Sequence, residues 1–501
     1  MEFYNVADGF FSPVKYSSPH ISRYDEFKVC VNEIINNNKK VLVYGDYDPD
    51  GLNCILVWKE AFHLMRHKNF HIFKYRQRTH SLDIKAKEQA IQGGYDYIII
   101  NDASSGDMGS INELVGAGLN VIIIDHHQTK YSYEDYPKGC LIINSTIENR
   151  SNEEQLIVSA GALCFILLEK VLSDYRIPCQ HLSAYALFSL YADSIDMSSE
   201  LNRGIYFMAT SLDSDLIPPE IDAFLNSYQR LCRRFIEFHM TPKINSAFRS
   251  ENFKLLNECY LNESRGDRAN LSKLVNYLTN LHKVSAEMVA TATDIIYHEV
   301  YDNFVIANLN TVNAHLDIRE NKLYNFTGLI ANQLADRYKK CTVVYCGLKG
   351  NIKGSFRDLY GRNYLTIFQK FCRAEGHNSA FGINMAMYEI HDFLQHLRIV
   401  DRKFKIDTDL NSPIVLSGYH MPPDIHTLRD MATYNEFAGN NYPLALVDVV
   451  RRYDMSERPS GYGGYVYRWG SHNIHSRRRI PVGTKMTIKP TTGKDVRLYV
   501  I

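Results

Sequence analysis

KVLVYGDYDPDG (residues 40–51) joins an unbroken apolar run to a loop holding Asp46, Asp48 and Asp50, and the helical pattern LNCILVWKEAFHLMRH (52–67) follows at once. An apolar run without alternation reads as a strand buried on both faces, the habit of parallel sheets. The same alternation continues outward. HIFKYR (71–76) is strand-like, and IKAKEQAIQGG (84–94) is a helix stopped by two glycines. YDYIIIN (95–101) and NVIIID (120–125) are strands flanking a helix at 109–118. Successive β-α units with short links predict an α/β fold on a parallel, doubly wound sheet. Residues 157–172 and 182–196 are expected to form helices against it.

A chain of 501 residues is too long for one core. The predicted order is an α/β domain over 1–200, a helical connector over 201–300, a smaller α/β domain over 301–400, and a small β domain over 401–501. In the third region NFVIANLN (303–310) and CTVVYCG (341–347) read as strands, and 328–340, 364–376 and 386–400 as helices. Short strands broken by Pro and Gly after 401 suggest a small β-barrel or partial barrel.

The composition, 45% hydrophobic and 22% charged, excludes a disordered chain. No apolar run is long enough to span a bilayer and no secretory signal opens the sequence, so a cytoplasmic protein without a membrane partner is expected. Ten cysteines without a zinc-like CxxC pair read as free thiols in a reducing compartment. Net charge is zero, yet residues 451–501 hold eleven Lys and Arg against Asp454, Glu457 and Asp495. A local basic patch can bind a phosphate backbone on a neutral protein. Tyr462, Tyr465, Tyr467 and Trp469 interleave with Arg458, Arg468 and Arg477, Arg478 and Arg479, the mixture that single-stranded nucleic acid uses.

Ligands of open parallel sheets bind beyond the carboxyl ends of the strands. Three acidic clusters fall there: the 46–50 loop, Asp102 after YIIIN, and Asp125-His126-His127. One Asp after a strand is commonly a turn residue or cap. Three clusters at successive strand ends converge on one rim, and carboxylates so gathered repel unless a cation neutralises them. Carboxylates alone suit Mg²⁺ or Ca²⁺; an added imidazole shifts the preference toward Mn²⁺. Two such ions are a common device for phosphodiester hydrolysis.

VYGDYDPDG (43–51), NDASS (101–105), IIIDHHQT (122–129) and LYADSIDM (190–197) occur in that order, and the set resembles the motifs of the DHH phosphoesterase superfamily, its RecJ-like exonucleases in particular. VSAGALCF (158–165) resembles the Gly-rich helix start between the third and fourth motifs. KGSFR (353–357) and AEGHNSAFG (374–382) resemble the DHHA1 substrate-binding domain. The resemblance implies that Asp48 and Asp102 hold one metal, and that Asp50, Asp102, His126 and Asp193 hold the other. His127 is implied to contact the scissile phosphate, with Asp125 orienting the histidines. Ser355, Arg357, Gly376 and His377 match phosphate-gripping positions. Tyr44 stands where many members have His, and Asp46 is expected to replace it in a weaker, more Mn²⁺-dependent first site. The loop after Asp102 also lacks the family's usual Gly. An OB-type barrel beside DHHA1 is implied by analogy.

The implied activity is a single-strand-specific DNA exonuclease, 5′→3′, using two divalent ions, Mn²⁺ ahead of Mg²⁺. Its partners would be single-stranded DNA and single-strand-binding, recombination or replication proteins. The alternatives are a phosphodiesterase of short oligoribonucleotides or cyclic dinucleotides, and a degenerate single-strand-binding scaffold.

Overall fold

The computed structural model describes residues 14–76, 81–150, 155–225, 230–264, 267–358, 364–377, 379–403, 414–416, 425–438, 444–460, 464–492 and 496–501. They divide into two compact units. The first takes Met1–Asn245, Phe253–Asn276 and Pro413–Ile501; the second takes Ser246–Asn252 and Tyr277–Ser412.

The first unit is built on five parallel strands: β1 (Val41–Gly45), β2 (Phe70–Ile72), β3 (Tyr97–Asn101), β4 (Asn120–Asp125) and β5 (Cys140–Asn144), in the order β2-β1-β3-β4-β5. Every residue of β1, β3 and β5 is buried, as unbroken apolar runs require. The chain leaves β1 in one direction to β2 and returns across it to β3. The reversal opens a crevice beyond the carboxyl ends of β1 and β3. Helices Pro49–Leu64, Ala160–Asp174 and Ser183–Ala192 cover the sheet and pack on one another. The expected strand at 71–76 is only Phe70–Ile72, and β5 was not foreseen, although CLIIN is the same apolar signal as β1.

The second unit carries a mixed six-stranded sheet: β6 (Tyr297–Val300), β7 (Phe304–Asn308), β8 (Cys341–Leu348), β9 (Asn351–Arg357), β10 (Arg373–His377) and β11 (Ala380–Ala386), ordered β10-β11-β9-β8-β7-β6. The expected helix 364–376 is corrected. Only Leu365–Phe368 is helical, and Arg373–His377 pairs with β11. Gly376, at φ +140°, adopts a backbone that side chains avoid, and that lets the hairpin form.

The remaining strands are β12 (Ile414–Leu416), β13 (Ala445–Val450), β14 (Glu457–Pro459), β15 (Tyr465–Trp469), β16 (His472–Ser476), β17 (Lys485–Thr491) and β18 (Arg497–Val500). Among the described residues they form a sheet ordered β12-β13-β17-β18-β16-β15-β14, and no pairing joins its two edges into a barrel. Helix Ile425–Phe437 packs on one face and has no counterpart in the expected all-β reading.

Two expected boundaries change. The 201–300 connector is divided between the units, and 413–501 belongs to the first unit rather than standing apart. The cause of the second is specific. Tyr191 donates from its hydroxyl to the Glu436 carbonyl (3.1 Å), and the Arg233 N–H donates to the Glu436 carboxylate (2.8 Å). Phe437 packs edge-on to Tyr206 at 5.0 Å between centroids. All ten cysteines are free thiols. No helix among the described residues is long and apolar enough to cross a membrane.

Candidate metal centre

The loop after β1 is drawn tight before it presents an acid. The Asp46 N–H donates to the Asn101 carbonyl (3.2 Å), tying the loop to β3. Asp48 caps helix Pro49–Leu64, its carboxylate accepting the Gly51 N–H at 2.9 Å, with Pro49 preset at the first helical position. A Cβ on Gly45 or Gly51 would overlap the backbone of the other arm of this loop.

Asp50 sits in the first turn and is buried. Its carboxylate accepts the N–H groups of Ala160 (2.9 Å) and Gly161 (2.8 Å), at the positive end of helix Ala160–Asp174, and the Ser189 hydroxyl. A Cβ on Gly161 would lie 3.0 Å from Asp50 Oδ1 and overlap Ser189.

Asp102 continues the β-ladder, its N–H donating to the Ile124 carbonyl (2.8 Å), but turns to φ +58°; Ser104 follows at φ +73°. Left-handed backbone at such residues costs about 1–3 kcal/mol and marks sites where direction matters. The Asp102 carboxylate is buried, and neither oxygen accepts a hydrogen bond among the described residues. Its Oδ1 lies 3.3 Å from His126 Nε2 and 3.7 Å from His127 Nδ1. His126 Nε2 is also 3.3 Å from Asp193 Oδ2, at the end of helix Ser183–Ala192, and 3.8 Å from Asp50 Oδ2.

Three groups of ligand atoms gather, each within 4.8 Å: Asp46, Asp48 and Asp102; Asp50, His126 and Asp193; and Asp102, His126 and His127. Asp102 is common to two of them. Burial pushes the Asp50 carboxyl up to about 7, with Asp193 and Asp48 adding repulsion against the pull of His126. Burial and the facing charges of Asp50, Asp48 and Asp193 hold Asp102 well above the carboxylate range. Burial and His127 push His126 down. Gathered carboxylates, with Asp102 buried and without a hydrogen bond among the described residues, beside an imidazole pushed toward its neutral form, fit a divalent cation, which would supply the missing partner.

Asp125 belongs to a different layer. Its Oδ1 accepts the N–H of His126 (2.7 Å) and of His127 (3.1 Å) and meets His127 Nδ1 at 2.7 Å, while Oδ2 accepts the Ser105 hydroxyl at 2.6 Å. Burial would raise this carboxyl, but His127, His126 and Ser105 outweigh it and hold it well below the usual range. Burial pulls His127 down less than Asp125 pulls it up, and its pKa rises to about 10. The Asn144 amide donates to Ser105 Oγ (2.9 Å) and to the His127 carbonyl (3.0 Å). Sequence reading missed Ser105 and Asn144. Asn144 ends β5 at the same rim, so recognising CLIIN as a strand would have found it.

The family model described as the DHH family, N-terminal domain, matches residues 40–189. YorK, from the SPbeta prophage of Bacillus subtilis strain 168 and named for single-strand DNA-specific exonuclease activity, is 23% identical over 446 residues. That match covers 82% of this chain and 73% of YorK. The single-stranded-DNA-specific exonuclease RecJ of Bacillus subtilis is 22% identical over 384 residues, covering 73% of this chain and 46% of RecJ. The fold is similar to that of RecJ from Thermus thermophilus in complex with Mn²⁺, with a TM-score of 0.71 at 15% identity, over 97% of this chain and 72% of that one.

Tyr44 turns away from the acids. Its ring packs in the core against Tyr47 and Phe73, and its hydroxyl donates to the Ser81 carbonyl (3.1 Å). Ser355 and Arg357 lie on β9 of the second unit beside helix Thr327–Tyr338. Ser355 Oγ is 2.9 Å from Thr327 Oγ1, and the Arg357 guanidinium fills the space a Cβ on Gly328 would take. Burial lowers Arg357 to about 10, and it forms no ion pair among the described residues. Gly376 and His377 are backbone partners in the adjoining hairpin; the His377 side chain lies outside the described residues.

The expected aromatic platform is corrected. Tyr467 and Trp469 are buried in the C-terminal core, and Tyr462 lies outside the described residues. On β15 these rings alternate toward the core face. Arg477, Arg478 and Arg479 are exposed, and Arg479 is paired with Glu457 at 2.8 Å.

Proposed function

We propose that this chain is a metal-dependent exonuclease of single-stranded DNA that works 5′→3′ with two divalent ions, Mn²⁺ in preference to Mg²⁺. The observation that carries this is Asp102: buried, without a hydrogen bond among the described residues, and shared between two groups of ligand atoms. The relatives named for single-strand DNA exonuclease activity support the substrate. Thermus RecJ structures with Mn²⁺ and with Mg²⁺ support the ion class.

Asp46, Asp48 and Asp102 would hold one ion, and Asp50, His126, Asp193 and Asp102 the other. Bound ions supply Lewis-acid stabilisation of phosphoryl charge and lower the pKa of a water. The chain's own residues do the rest. Asp125 keeps His127 protonated and fixes its ring, so its outer nitrogen can donate to a phosphoryl oxygen. The Asp125–Ser105–Asn144 network holds that geometry. Ser355, Arg357, Gly376 and His377 would bind a substrate phosphate, Arg357 through an uncompensated guanidinium. Arg477, Arg478 and Arg479 would add charge along the strand. A cytoplasmic site of action beside single-strand-binding or recombination proteins fits this reading.

A digest with Mn²⁺ or Mg²⁺ should compare 5′-labelled single-stranded DNA, duplex DNA, RNA oligomers and cyclic dinucleotides. Single-stranded DNA should be degraded, and Asp102→Ala should abolish it. Cleavage confined to cyclic dinucleotides, or wild type matching Asp102→Ala, overturns the reading.

A further inference from the structure

The loop that supplies the first group of ligand atoms is braced by a segment distant in the chain. With Tyr44 turned into the core, that group is three carboxylates, Asp46, Asp48 and Asp102. Carboxylates so gathered repel one another, and their spacing survives only where the backbone beneath them is held. Asp48 is held as a helix cap and Asp102 by the β-ladder. Asp46 gives its N–H to the Asn101 carbonyl, and its own carbonyl accepts the Tyr75 hydroxyl at 2.9 Å. Both peptides flanking Asp46 are therefore pinned, and with them the direction of its side chain.

Tyr75 needs a brace of its own. β2 ends at Ile72, and the Phe73 N–H still reaches the Val43 carbonyl (2.9 Å). Two residues on, the partner is no longer a strand. The Asn257 side chain, on helix Lys254–Cys259 of the same unit, accepts the Tyr75 N–H (2.9 Å) and donates to the Tyr75 carbonyl (2.8 Å). One amide thus satisfies both backbone groups of Tyr75, as a neighbouring strand would. Tyr47, between Asp46 and Asp48 in the chain, closes the brace. Its ring lies 4.6 Å from that of Tyr75 and 5.5 Å from that of Phe253, and its hydroxyl donates to Asp83 at 2.6 Å. All three rings are buried, so the packing has little room to slip.

We propose that Tyr75 and Asn257 are positioning residues for the metal centre, holding Asp46 where it completes the ligand set of the first ion. This rests on the two-ion reading of the site. Asn257 acts through Tyr75, and Tyr75 acts through the Asp46 carbonyl. The signature is a weakened ion rather than lost chemistry: a released Asp46 costs the site affinity, and a higher Mn²⁺ concentration restores occupancy.

The test is Mn²⁺ titration calorimetry on the metal-stripped full chain, paired with Mn²⁺ activation curves for cleavage of single-stranded DNA. Wild type should take up two ions. Tyr75→Phe and Asn257→Ala should each weaken one ion about 10- to 100-fold and leave the other unchanged. The Mn²⁺ concentration for half-maximal cleavage should rise in step, and saturating Mn²⁺ should restore kcat, which partial unfolding would not allow. Tyr97→Phe removes a comparable hydroxyl bond, to Glu33 at 2.9 Å, from the amino end of β3, and should change neither measurement. Circular dichroism and melting curves identify any variant that fails to fold; Tyr75→Phe, which loses one oxygen atom, decides the matter if Asn257→Ala is such a variant. Unchanged Mn²⁺ affinity in Tyr75→Phe, equal weakening in Tyr97→Phe, or a kcat loss that saturating Mn²⁺ leaves in place overturns the proposal. Wild type that binds two Mn²⁺ yet cleaves no single-stranded DNA leaves the proposal standing and fails the substrate reading beneath it; fewer than two bound ions fails both.

Discussion

His127 Nδ1 lies 2.7 Å from Asp125 Oδ1, the oxygen that also accepts the backbone N–H of both histidines. One buried carboxylate thus holds the backbone of both histidines and the ring of His127, while the His126 ring faces Asp102 and Asp193 and the His127 side chain is half exposed.

Asp125→Asn removes the charge that keeps His127 protonated. His127 should fall from about 10 toward its ordinary value of roughly 6.5. Wild-type kcat should hold its contribution from this group between about pH 6 and 9, whereas the variant should lose on the order of 10²-fold as pH rises through about 7. Parallel pH–rate profiles would rule out this role.

Asp102→Asn should separate stability from activity. Asn tolerates the left-handed backbone that Asp102 adopts at φ +58°. It also removes a buried carboxyl whose ionisation Asp50 and Asp48 oppose. The metal-free variant should melt higher, by about 1–2 kcal/mol of stability, while cleavage falls by more than about 10³-fold. Calorimetry in EDTA checks the first outcome and a Mn²⁺ digest the second.

Metal-free stability should also depend on pH in a particular direction. Asp50 is raised to about 7 and Asp102 is raised well above its ordinary value. Carboxyls with raised pKa keep their protons in the folded state and lose them sooner when unfolded. Their contribution is present below about pH 4 and is lost as pH rises through about 7. Mn²⁺ should restore it, with a larger melting shift at pH 8 than at pH 5.5, since binding must displace those protons. An equal shift at both pH values contradicts this.

Arg233→Ala should loosen the C-terminal sheet from the parallel-sheet core of the first unit. The Arg233 guanidinium donates to the carbonyls of Asn435 (3.3 Å), Glu436 (3.5 Å) and Ala438 at the end of helix Ile425–Phe437. Loss of these bonds beside buried Glu436 should cost about 2–4 kcal/mol in urea unfolding. A value within about 0.5 kcal/mol of wild type would mean the contact is dispensable.

Gly161→Ala should act on the metal centre from a distance in sequence. The added methyl crowds Asp50 Oδ1 and Ser189. Mn²⁺ affinity measured by titration calorimetry should fall about 10- to 100-fold with little change in secondary structure.

Sequence determined the parallel sheet and the rim of acids. Apolar runs such as VLVYG and YIIIN are strands buried on both faces, and strand order puts Asp46, Asp102 and Asp125 at one edge. Local spacing carried that information. Only tertiary structure decided how each acid is surrounded. Asp125 and Asp102 end adjacent strands, yet one is enclosed by donors and the other has none among the described residues. It also turned Tyr44, Tyr467 and Trp469 into the core and joined residues 413–501 to the first unit through Glu436 and Phe437. Those outcomes depend on which distant segments exclude water together, and no local pattern encodes that.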